Sequence, residues 1–577
     1  MKRSLITTCL GAGVLLLTAG AAAFAQTIAE IPREKTLIFE NIEGRVPVPD
    51  NMNPFISGQY LDWGTWQAVY ESLFYLNLES GELEPWLAES GEYSADASSV
   101  TIKLRPGVKW SDGTPFSADD VVFTIEMLRA NENLQWSGEI NLWVDTITAV
   151  DPQTVKIDFK APNPRFLTDY FGVRIWETVL IQPKHIWEGQ DPNTFTNFDL
   201  EKGLPLGTGP YKLVRSSETE TVFDRLPNWW GAETGFDDMP APERVIWIAA
   251  PSEDTRAAMA VNNQLDATWI MSRSTFEIAR ERNPNIIGWT AELPYAYLDA
   301  CPRDLRVNTK LAPTDDVVIR HAINDAIDRQ QLIDVAFEGM TEPSYSTFPT
   351  YAPLAAFLAR NEEIVKLVHS NPDEIAPALE AAGYTKNADG LWVDASGNTI
   401  KIEMIVRSGE TDQLKMAPVL VAQLRKAGFD ASSRPVETAV YFTDVATGKA
   451  TIWIGGTCGS VQDPYASFAL LDSKLSAPLG ESAERNPTRF ENARFDELIG
   501  KMSVMTEGPE FDAAADEALK ILSEELPVIP LVQARLLTPF NTTYWTNWPT
   551  AENPYIHPGH WWVTGNYMIH NVEPANQ

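Results

Sequence analysis

One glycine-rich stretch of this chain, residues 455–465 with the sequence GGTCGSVQDPY, concentrates side chains that could bind a small molecule. It lies between ATIWI, which predicts a strand, and ASFALL, which predicts a helix. Glycine permits close approach of a backbone, polar side chains bond to hydroxyl groups, and aromatic rings stack on flat apolar faces. The residues expected to contact a ligand are Trp453, Gly456, Ser460, Gln462, Asp463 and Tyr465.

Several of these residues also have a purely structural interpretation. The Asp463-Pro464 step could cap the helix that follows it. Trp453 lies on a predicted strand and could belong to the core, and Ser460 could face the glycine turn. Taken together, the residues of this stretch indicate non-covalent binding of a neutral, hydroxyl-rich ligand. For each residue taken alone, the structural interpretation stays open.

Tryptophan is abundant in this chain, with 19 Trp against 16 Tyr. Most tryptophans in any protein are core residues, but several here stand in polar segments interrupted by Gly or Pro. A flat ring with a single N–H donor suits a pocket that both stacks on a sugar ring and hydrogen-bonds to it. The further ligand-binding candidates are Asn53, Trp66, Trp136 and Trp548.

Motifs for catalysis, cofactors and metals are sparse. The segment GTGPYK (207–212) lacks the spacing of a phosphate-binding loop, and the chain contains no G-x-S-x-G nucleophile motif. His557 and His560 are too few ligands for a metal site. Paired carboxylates for glycoside hydrolysis stay an open alternative, since 79 acidic residues form pairs by chance. We expect a binding protein without catalytic residues, cofactor or metal.

The N-terminus predicts an exported protein. Lys2 and Arg3 precede the apolar residues 4–20, and Ala23-Phe24-Ala25 resembles a signal peptidase site, so we expect residues 1–25 to be a signal peptide cleaved after Ala25. An N-terminal transmembrane helix is the alternative. The net charge of −34 excludes nucleic acid and anionic membrane surfaces as partners.

The order of predicted elements indicates an α/β fold of more than one domain. SVTIKLR, TVKIDF and TIKIEMIV alternate apolar and polar residues as half-buried strands do. Ser117 and Thr314 are expected to cap helices, with Asp119 and Asp120 in the first turn after Ser117. A chain of 577 residues is too long for a single core.

Several segments together resemble one family. They include YESLFYLNLESGELEPWLAES (70–90), VTIKLRPGVKWSDGTPFSADDVVFTIEML (100–128), GTGPYKLVR (207–215), DDVVIRHAINDAIDR (315–329), RFENARFDELIGKM (489–502) and ILSEELPVIPL (521–531). The chain is similar to the extracytoplasmic solute-binding proteins of ABC importers, family 5, the dipeptide- and oligopeptide-binding class. The resemblance extends from about residue 36 to near the C-terminus.

The resemblance implies a two-lobed periplasmic-binding-protein fold that closes on its ligand at a hinge. It implies lobe I over 26–75 and 207–300, an extra subdomain of lobe I over 76–206, lobe II over 301–530, and a return to lobe I over 531–577. The hinge is expected near 295–310 and 525–540, and the closed form is expected to dock, as a monomer, on a permease of the inner membrane. In an oxidising compartment Cys301 and Cys458 could pair, with two buried thiols as the alternative.

The class includes receptors for peptides, nickel complexes, opines and oligosaccharides, so membership does not name the ligand. In peptide-binding members of the class, a dipeptide of an acidic residue and proline follows the glycine-rich stretch, and an Asp three residues before it holds the peptide ammonium group. Asp463-Pro464 is the corresponding dipeptide in this chain. Three residues before it, this chain has Ser460, and a hydroxyl cannot neutralise a buried cation. GSVQDPY and ENPYIHPGHWW resemble the oligosaccharide-binding branch. We therefore expect an oligosaccharide, such as an α-galactoside of the raffinose type, with a peptide receptor as the first alternative and a secreted glycoside-active enzyme as the second.

Overall fold

The computed structural model describes residues 28–41, 45–46, 48–56, 66–173, 178–250, 252–483 and 485–575. The predicted signal peptide lies outside the described residues. Among the described residues, no helix is both long enough and apolar enough to cross a bilayer.

Strands and helices alternate along most of the described chain. The strands are β1 (Thr36–Asn41), β2 (Phe74–Leu76), β3 (Leu83–Pro85), β4 (Ala88–Tyr93), β5 (Ser99–Leu104), β6 (Val144–Asp151), β7 (Thr154–Phe159), β8 (Gly172–Val173), β9 (Tyr211–Ser217), β10 (Glu220–Arg225), β11 (Arg244–Ala249), β12 (Ile286–Ile287), β13 (Tyr297–Leu298), β14 (Arg303–Val307), β15 (Thr385–Lys386), β16 (Trp392–Val393), β17 (Lys401–Arg407), β18 (Asp430–Val436), β19 (Ile452–Gly456), β20 (Val528–Val532), β21 (Arg535–Leu536), β22 (Phe540–Asn541), β23 (Trp545–Thr546) and β24 (Glu573–Pro574).

The helices lie mainly between the strands. The α-helices are α1 (Ala118–Ala130), α2 (Ser137–Trp143), α3 (Lys184–Trp187), α4 (Trp230–Thr234), α5 (Glu253–Val261), α6 (Arg273–Arg282), α7 (Val317–Ala326), α8 (Arg329–Ala336), α9 (Ala352–Arg360), α10 (Glu362–Val365), α11 (Ile375–Ala381), α12 (Thr411–Ala427), α13 (Thr438–Ala446), α14 (Tyr465–Ala469), α15 (Ala493–Met502), α16 (Pro509–Glu525) and α17 (Asn566–Asn571). Short 3₁₀ turns and one π-helical turn, Leu167–Phe171, complete the described structure.

Local sequence signals predicted several of these elements. The three alternating segments form β5, β7 and β17. Ser117 and Asp120 form a reciprocal capping box at the start of α1. The prediction for Thr314 is wrong: α7 begins at Val317 with Asp316 as its cap, because the Thr314 hydroxyl donates to the carbonyls of Asn308 and Leu311.

Two four-stranded sheets lie in the first half of the chain. One has the order β1-β11-β10-β9 and the other the order β4-β5-β7-β6. The C-terminal segment returns to the first of these sheets, because Trp545, Trp548 and Met568 share a buried cluster with Phe39 and Trp247. Lobe I denotes the described residues up to 298 together with 535–575.

A five-stranded mixed sheet forms the second half, in the order β18-β17-β19-β14-β20. β17 runs parallel to β18 and β19, and β14 runs antiparallel to β19 and β20. Helix α12 covers one face with Met416, Leu420 and Leu424. Lobe II denotes the described residues from 303 to 532. The domain boundaries expected from the sequence stay predictions.

The two segments that join the lobes lie side by side. β13 pairs with β21 through Tyr297 with Leu536 and Leu298 with Arg535. Both lie inside the ranges expected for the hinge. Just beyond β13, Cys301 is joined to Cys458 by a disulfide that links residues 157 positions apart. The disulfide therefore ties the glycine-rich stretch of lobe II to the segment that leaves the hinge.

Trp453 provides a test of the lobe II core. It is 2% exposed and packs with Ile405, Val436, Tyr441 and Val445 beneath α13. Replacement of Trp453 by Ala is expected to lower the free energy of unfolding by about 3–5 kcal/mol, because it leaves a large cavity. Urea unfolding followed by circular dichroism measures the change.

The matched control is Phe442→Ala on the outer side of α13, where the ring is 48% exposed. This variant is expected to unfold within about 0.5 kcal/mol of the parent protein. Equal stability of the Trp453→Ala variant and the control would contradict the core assignment.

Candidate functional site

A cluster of aromatic and apolar residues joins the two lobes at the hinge. It contains Tyr297 and Leu536 from the crossing strands, Trp561 and Trp562 from lobe I, and Tyr351 from lobe II. Its other members are Leu76, Leu78, Ala300 and Val461, with Leu83, Trp269, Ile270, Trp289, Leu298 and Cys458 partly buried against it. We call this set the interlobe cluster. It is the place in the described chain where aromatic residues of both lobes and the glycine-rich stretch meet.

Trp269 and Trp289 are the members best placed to contact a ligand. Both are half-buried, whereas Trp561 and Trp562 are almost completely buried beneath them. Trp269 meets Trp561 edge to face with ring centroids 4.4 Å apart, and Trp289 lies 6.5 Å from Tyr297. Rings held by such neighbours present a fixed apolar face at low entropic cost.

His557 forms the buried floor next to these rings. Its imidazole stacks on Trp562 with a centroid distance of 3.8 Å and meets Tyr297 edge-on. Burial lowers the pKa of His557 well below its usual value, so the ring is neutral at physiological pH. Neither ring nitrogen, nor the Tyr297 hydroxyl, has a hydrogen-bond partner among the described residues.

Arginines neutralise the carboxylates on the lobe II side of the cluster. Asp304 is fully buried, and its Oδ1 lies 3.0 Å from Nε of Arg306 while its Oδ2 accepts a bond from the Thr457 hydroxyl. Arg303 donates to Asp412 and lies 3.7 Å from Asp299. Burial raises the pKa of Asp299 to about 6 although Arg303 acts to lower it. The carboxylates on the lobe II side of the interlobe cluster are therefore each paired with an arginine.

Side chains of the glycine-rich stretch are occupied by other parts of the protein. Ser460 and Ser467 exchange hydrogen bonds, each backbone N–H donating to the other hydroxyl at 2.9 Å. The Gln462 amide donates to the carbonyl of Gly81 in lobe I at 2.6 Å. Asp463 accepts a bond from the Tyr465 N–H and forms an ion pair with an arginine of lobe I, Arg165.

The close backbone approach at the glycines is internal. A Cβ on Gly456 would lie 3.3 Å from the Pro302 carbonyl oxygen, and one on Gly459 would lie 2.9 Å from the Ser467 nitrogen. Each contact is tighter than a side chain normally tolerates. These two glycines therefore let the stretch pack against the hinge segment and against helix α14, which is a different reason for glycine from the one that the sequence suggested.

The other candidates from the sequence pack within the lobes, where all but the half-buried Trp136 are buried. Trp453 and Trp548 are buried, and Trp548 stacks on Phe540 with ring centroids 4.6 Å apart. Asn53 is fully buried and donates to the carbonyls of Pro192 and Phe195. Trp66 packs in the lobe I core and Trp136 packs edge to face on Tyr170. These contacts lie within the lobes, and the expected contact of these residues with a ligand stays a prediction.

Sequence reasoning did not select Trp269 and Trp289 because their local contexts, DATWIM and IIGWTAE, resemble ordinary strand or loop segments. Trp561 and Trp562 stood out in the sequence as an aromatic pair beside Gly and His. What places these residues together is the return of the C-terminal segment to lobe I, which no local pattern reports.

Comparison with known proteins identifies the family. The model of the bacterial extracellular solute-binding proteins, family 5 (Middle), matches residues 82–477. This chain belongs to family 5 of the bacterial extracellular solute-binding proteins. The nickel-binding periplasmic protein of Escherichia coli is 25% identical over 472 residues, which cover 80% of this chain and 83% of that protein. The glutathione-binding protein of Shigella flexneri is 25% identical over 492 residues, which cover 84% and 87%.

Solved structures of the class share the two-lobed architecture of this family 5 protein. The periplasmic oligopeptide-binding protein of an oligopeptide ABC transporter from Thermotoga maritima is 26% identical, covers 94% of this chain and 99% of its own, and gives a TM-score of 0.82. A mannohexaose-bound structure of the same protein is 25% identical, covers 95% and 100%, and gives a TM-score of 0.78. Members of the family are extracytoplasmic receptors that bind small molecules and work with ABC permeases.

Asp299 gives the hinge region a pH-dependent contribution to stability. Its pKa is about 6 in the folded protein, against about 3.9 in an unfolded chain. The folded state therefore favours the protonated carboxyl group of Asp299. The stability that this preference adds to the folded state is fully present below about pH 4 and is lost as the pH rises through 6. We expect the Asp299→Asn variant to gain about 2–3 kcal/mol of stability relative to the parent between pH 4 and 7.

Urea unfolding at four pH values across this range measures the difference between the two proteins. The exposed Asp373→Asn change serves as the control and should leave the pH dependence of the parent unchanged. Parallel pH profiles for the parent and the Asp299→Asn variant would contradict the assignment.

Proposed function

We propose that this protein is a periplasmic receptor that captures a neutral oligosaccharide between its lobes and delivers it, as a monomer, to an inner-membrane ABC permease. The observation that carries the proposal is the pairing of buried and half-buried carboxylates beside the interlobe cluster with Arg165, Arg303 and Arg306. These paired carboxylates offer no free negative charge to balance the ammonium group of a peptide.

The aromatic half of the site supports the same ligand class. A sugar ring has an apolar C–H face and a rim of hydroxyl groups, so it matches the half-exposed rings of Trp269 and Trp289. Rings of this kind provide affinity in a closed cleft, while a few polar atoms select stereochemistry. The similarity to a protein whose structure contains mannohexaose is consistent with this class.

One carboxylate favours a peptide as the second candidate. Glu79 follows Leu78 of the interlobe cluster and has no ion pair among the described residues. Glu79 is exposed, but desolvation by the surrounding protein raises its pKa. Burial together with the charges of Asp299 and Glu79 raises the pKa of Tyr351 well above its usual value. Glu79 therefore lies near the cluster and could receive a cationic group.

A ligand screen by thermal shift separates the two candidates. We expect raffinose, mannohexaose or a related oligosaccharide to raise the melting temperature, whereas di- to pentapeptides and glutathione leave it unchanged. A ligand at about 100 times its Kd adds about 2.7 kcal/mol to the folded state, which is a readily measured shift. Stabilisation by peptides alone would overturn the oligosaccharide proposal and leave the receptor fold intact.

Two variants locate the ligand once a stabilising compound is found. Trp289→Ala is expected to weaken oligosaccharide binding about tenfold or more by calorimetry, because it removes a stacking face worth about 1.4 kcal/mol. Glu79→Gln is expected to leave oligosaccharide affinity within about twofold, since a neutral ligand gains nothing from a carboxylate charge.

Phe442→Ala, on the outer face of lobe II, is the control for loss of an aromatic side chain. Its affinity should equal that of the parent. Unchanged binding in Trp289→Ala would remove this ring from the site, and a large loss in Glu79→Gln would favour a cationic ligand.

A further inference from the structure

Arg165 of lobe I inserts its side chain into lobe II. It follows β7 and directly precedes Phe166, which is fully buried in the lobe I core. The backbone N–H of Arg165 donates to the side chain of Asn163, so both ends of this short segment are held by lobe I. The side chain of Arg165 is only 9% exposed, although it leaves its own lobe.

The guanidinium group meets three acceptors on lobe II. Its Nε and Nη2 both lie 2.9 Å from Oδ2 of Asp463. Nη1 donates to the carbonyl of Met502 at 3.0 Å, and Nη2 donates to the carbonyl of Met505 at 2.8 Å. Met502 is the last residue of α15, where carbonyl groups lack partners within the helix and carry partial negative charge.

Aromatic rings complete this socket. The guanidinium carbon lies 4.4 Å from the centroid of Tyr465 and 5.7 Å from that of Phe511. A guanidinium group is planar and weakly hydrated, so it can stack on rings while its edge donates hydrogen bonds. The N–H of Tyr465 also bonds to Oδ1 of Asp463, which orients the carboxylate toward the arginine.

We propose that Arg165 and its socket on lobe II, formed by Asp463, Tyr465, Met502, Met505 and Phe511, are a latch that stabilises the closed arrangement of the two lobes. The socket residues all belong to lobe II, so the latch forms only when the lobes meet. Because a ligand in the cleft binds the closed arrangement, a change in the closed fraction changes the apparent affinity by the same factor.

Weaker contacts also join the lobes. Gln462 donates to the carbonyl of Gly81, Arg485 pairs with Glu139, Arg535 pairs with Glu342, and Arg273 and Ser274 donate to Glu338. These contacts involve exposed or half-exposed groups, for which water competes and salt screens the attraction. The Arg165 contact differs because it is buried and uses both edges of the guanidinium group, so we assign the latch to Arg165.

Lobe separation in the ligand-free protein tests the latch. Spin labels at Val150→Cys in lobe I and Leu367→Cys in lobe II, both exposed positions, report the interlobe distance by double electron–electron resonance. We expect Arg165→Met to lower the closed-to-open ratio about tenfold or more, since it keeps the aliphatic stem and removes the donors. Arg165→Lys should fall between this variant and the parent, because it keeps the charge but lacks the planar fork whose three nitrogens meet the three acceptors.

Asp463→Asn provides the second test from the opposite lobe and should shift the distances in the same direction as Arg165→Met. Arg434→Met is the matched control, since Arg434 pairs with Glu403 within lobe II. Thermal melting of each variant verifies folding. Parent-like distances in folded Arg165→Met and Asp463→Asn would overturn the latch, as would a mainly open parent protein. No ligand is used, so the outcome is independent of whether the ligand is a sugar or a peptide.

Discussion

The structure around the cleft depends on the need to neutralise buried carboxylates. Moving a carboxylate out of water costs several kcal/mol unless a cation and hydrogen-bond donors accompany it. On lobe II, Asp304 meets this need with Arg306, and Asp412 of lobe II shares Arg303 with Asp299 of the hinge region. Asp463 differs from these residues because the arginine that neutralises it, Arg165, comes from the other lobe.

The Asp463–Arg165 pair connects two properties of the protein, the charge of the proposed site and the contact between the lobes. The pairing of Asp463 with Arg165 neutralises a carboxylate on the lobe II side of the proposed site, and it also joins the lobes. An acidic residue at this position therefore does not by itself indicate a cationic ligand. In the proposed receptor, selection of an uncharged ligand and stabilisation of the closed arrangement depend on the same pair of side chains.

The hinge region supports both properties. The crossing strands β13 and β21 pair directly, and the Cys301–Cys458 disulfide ties the glycine-rich stretch to the segment that follows β13. Tight contacts at Gly456 and Gly459 hold this stretch against the hinge segment and against helix α14. The aromatic surface that remains half-exposed is then contributed by Trp269 and Trp289 of lobe I, so each lobe supplies a different part of the proposed site.

The sequence alone determined the class of fold, the family and many local elements. Apolar alternation located β5, β7 and β17, and the Ser117–Asp120 capping box located the start of α1, because these signals act within a few residues. Only the tertiary structure decided which residues meet between the lobes and which are enclosed in a core. Asp463 meets an arginine 298 positions away, and neighbouring strands and helix α13 enclose Trp453. Periodicity reports which face of an element is apolar, but it does not report which distant segment covers that face.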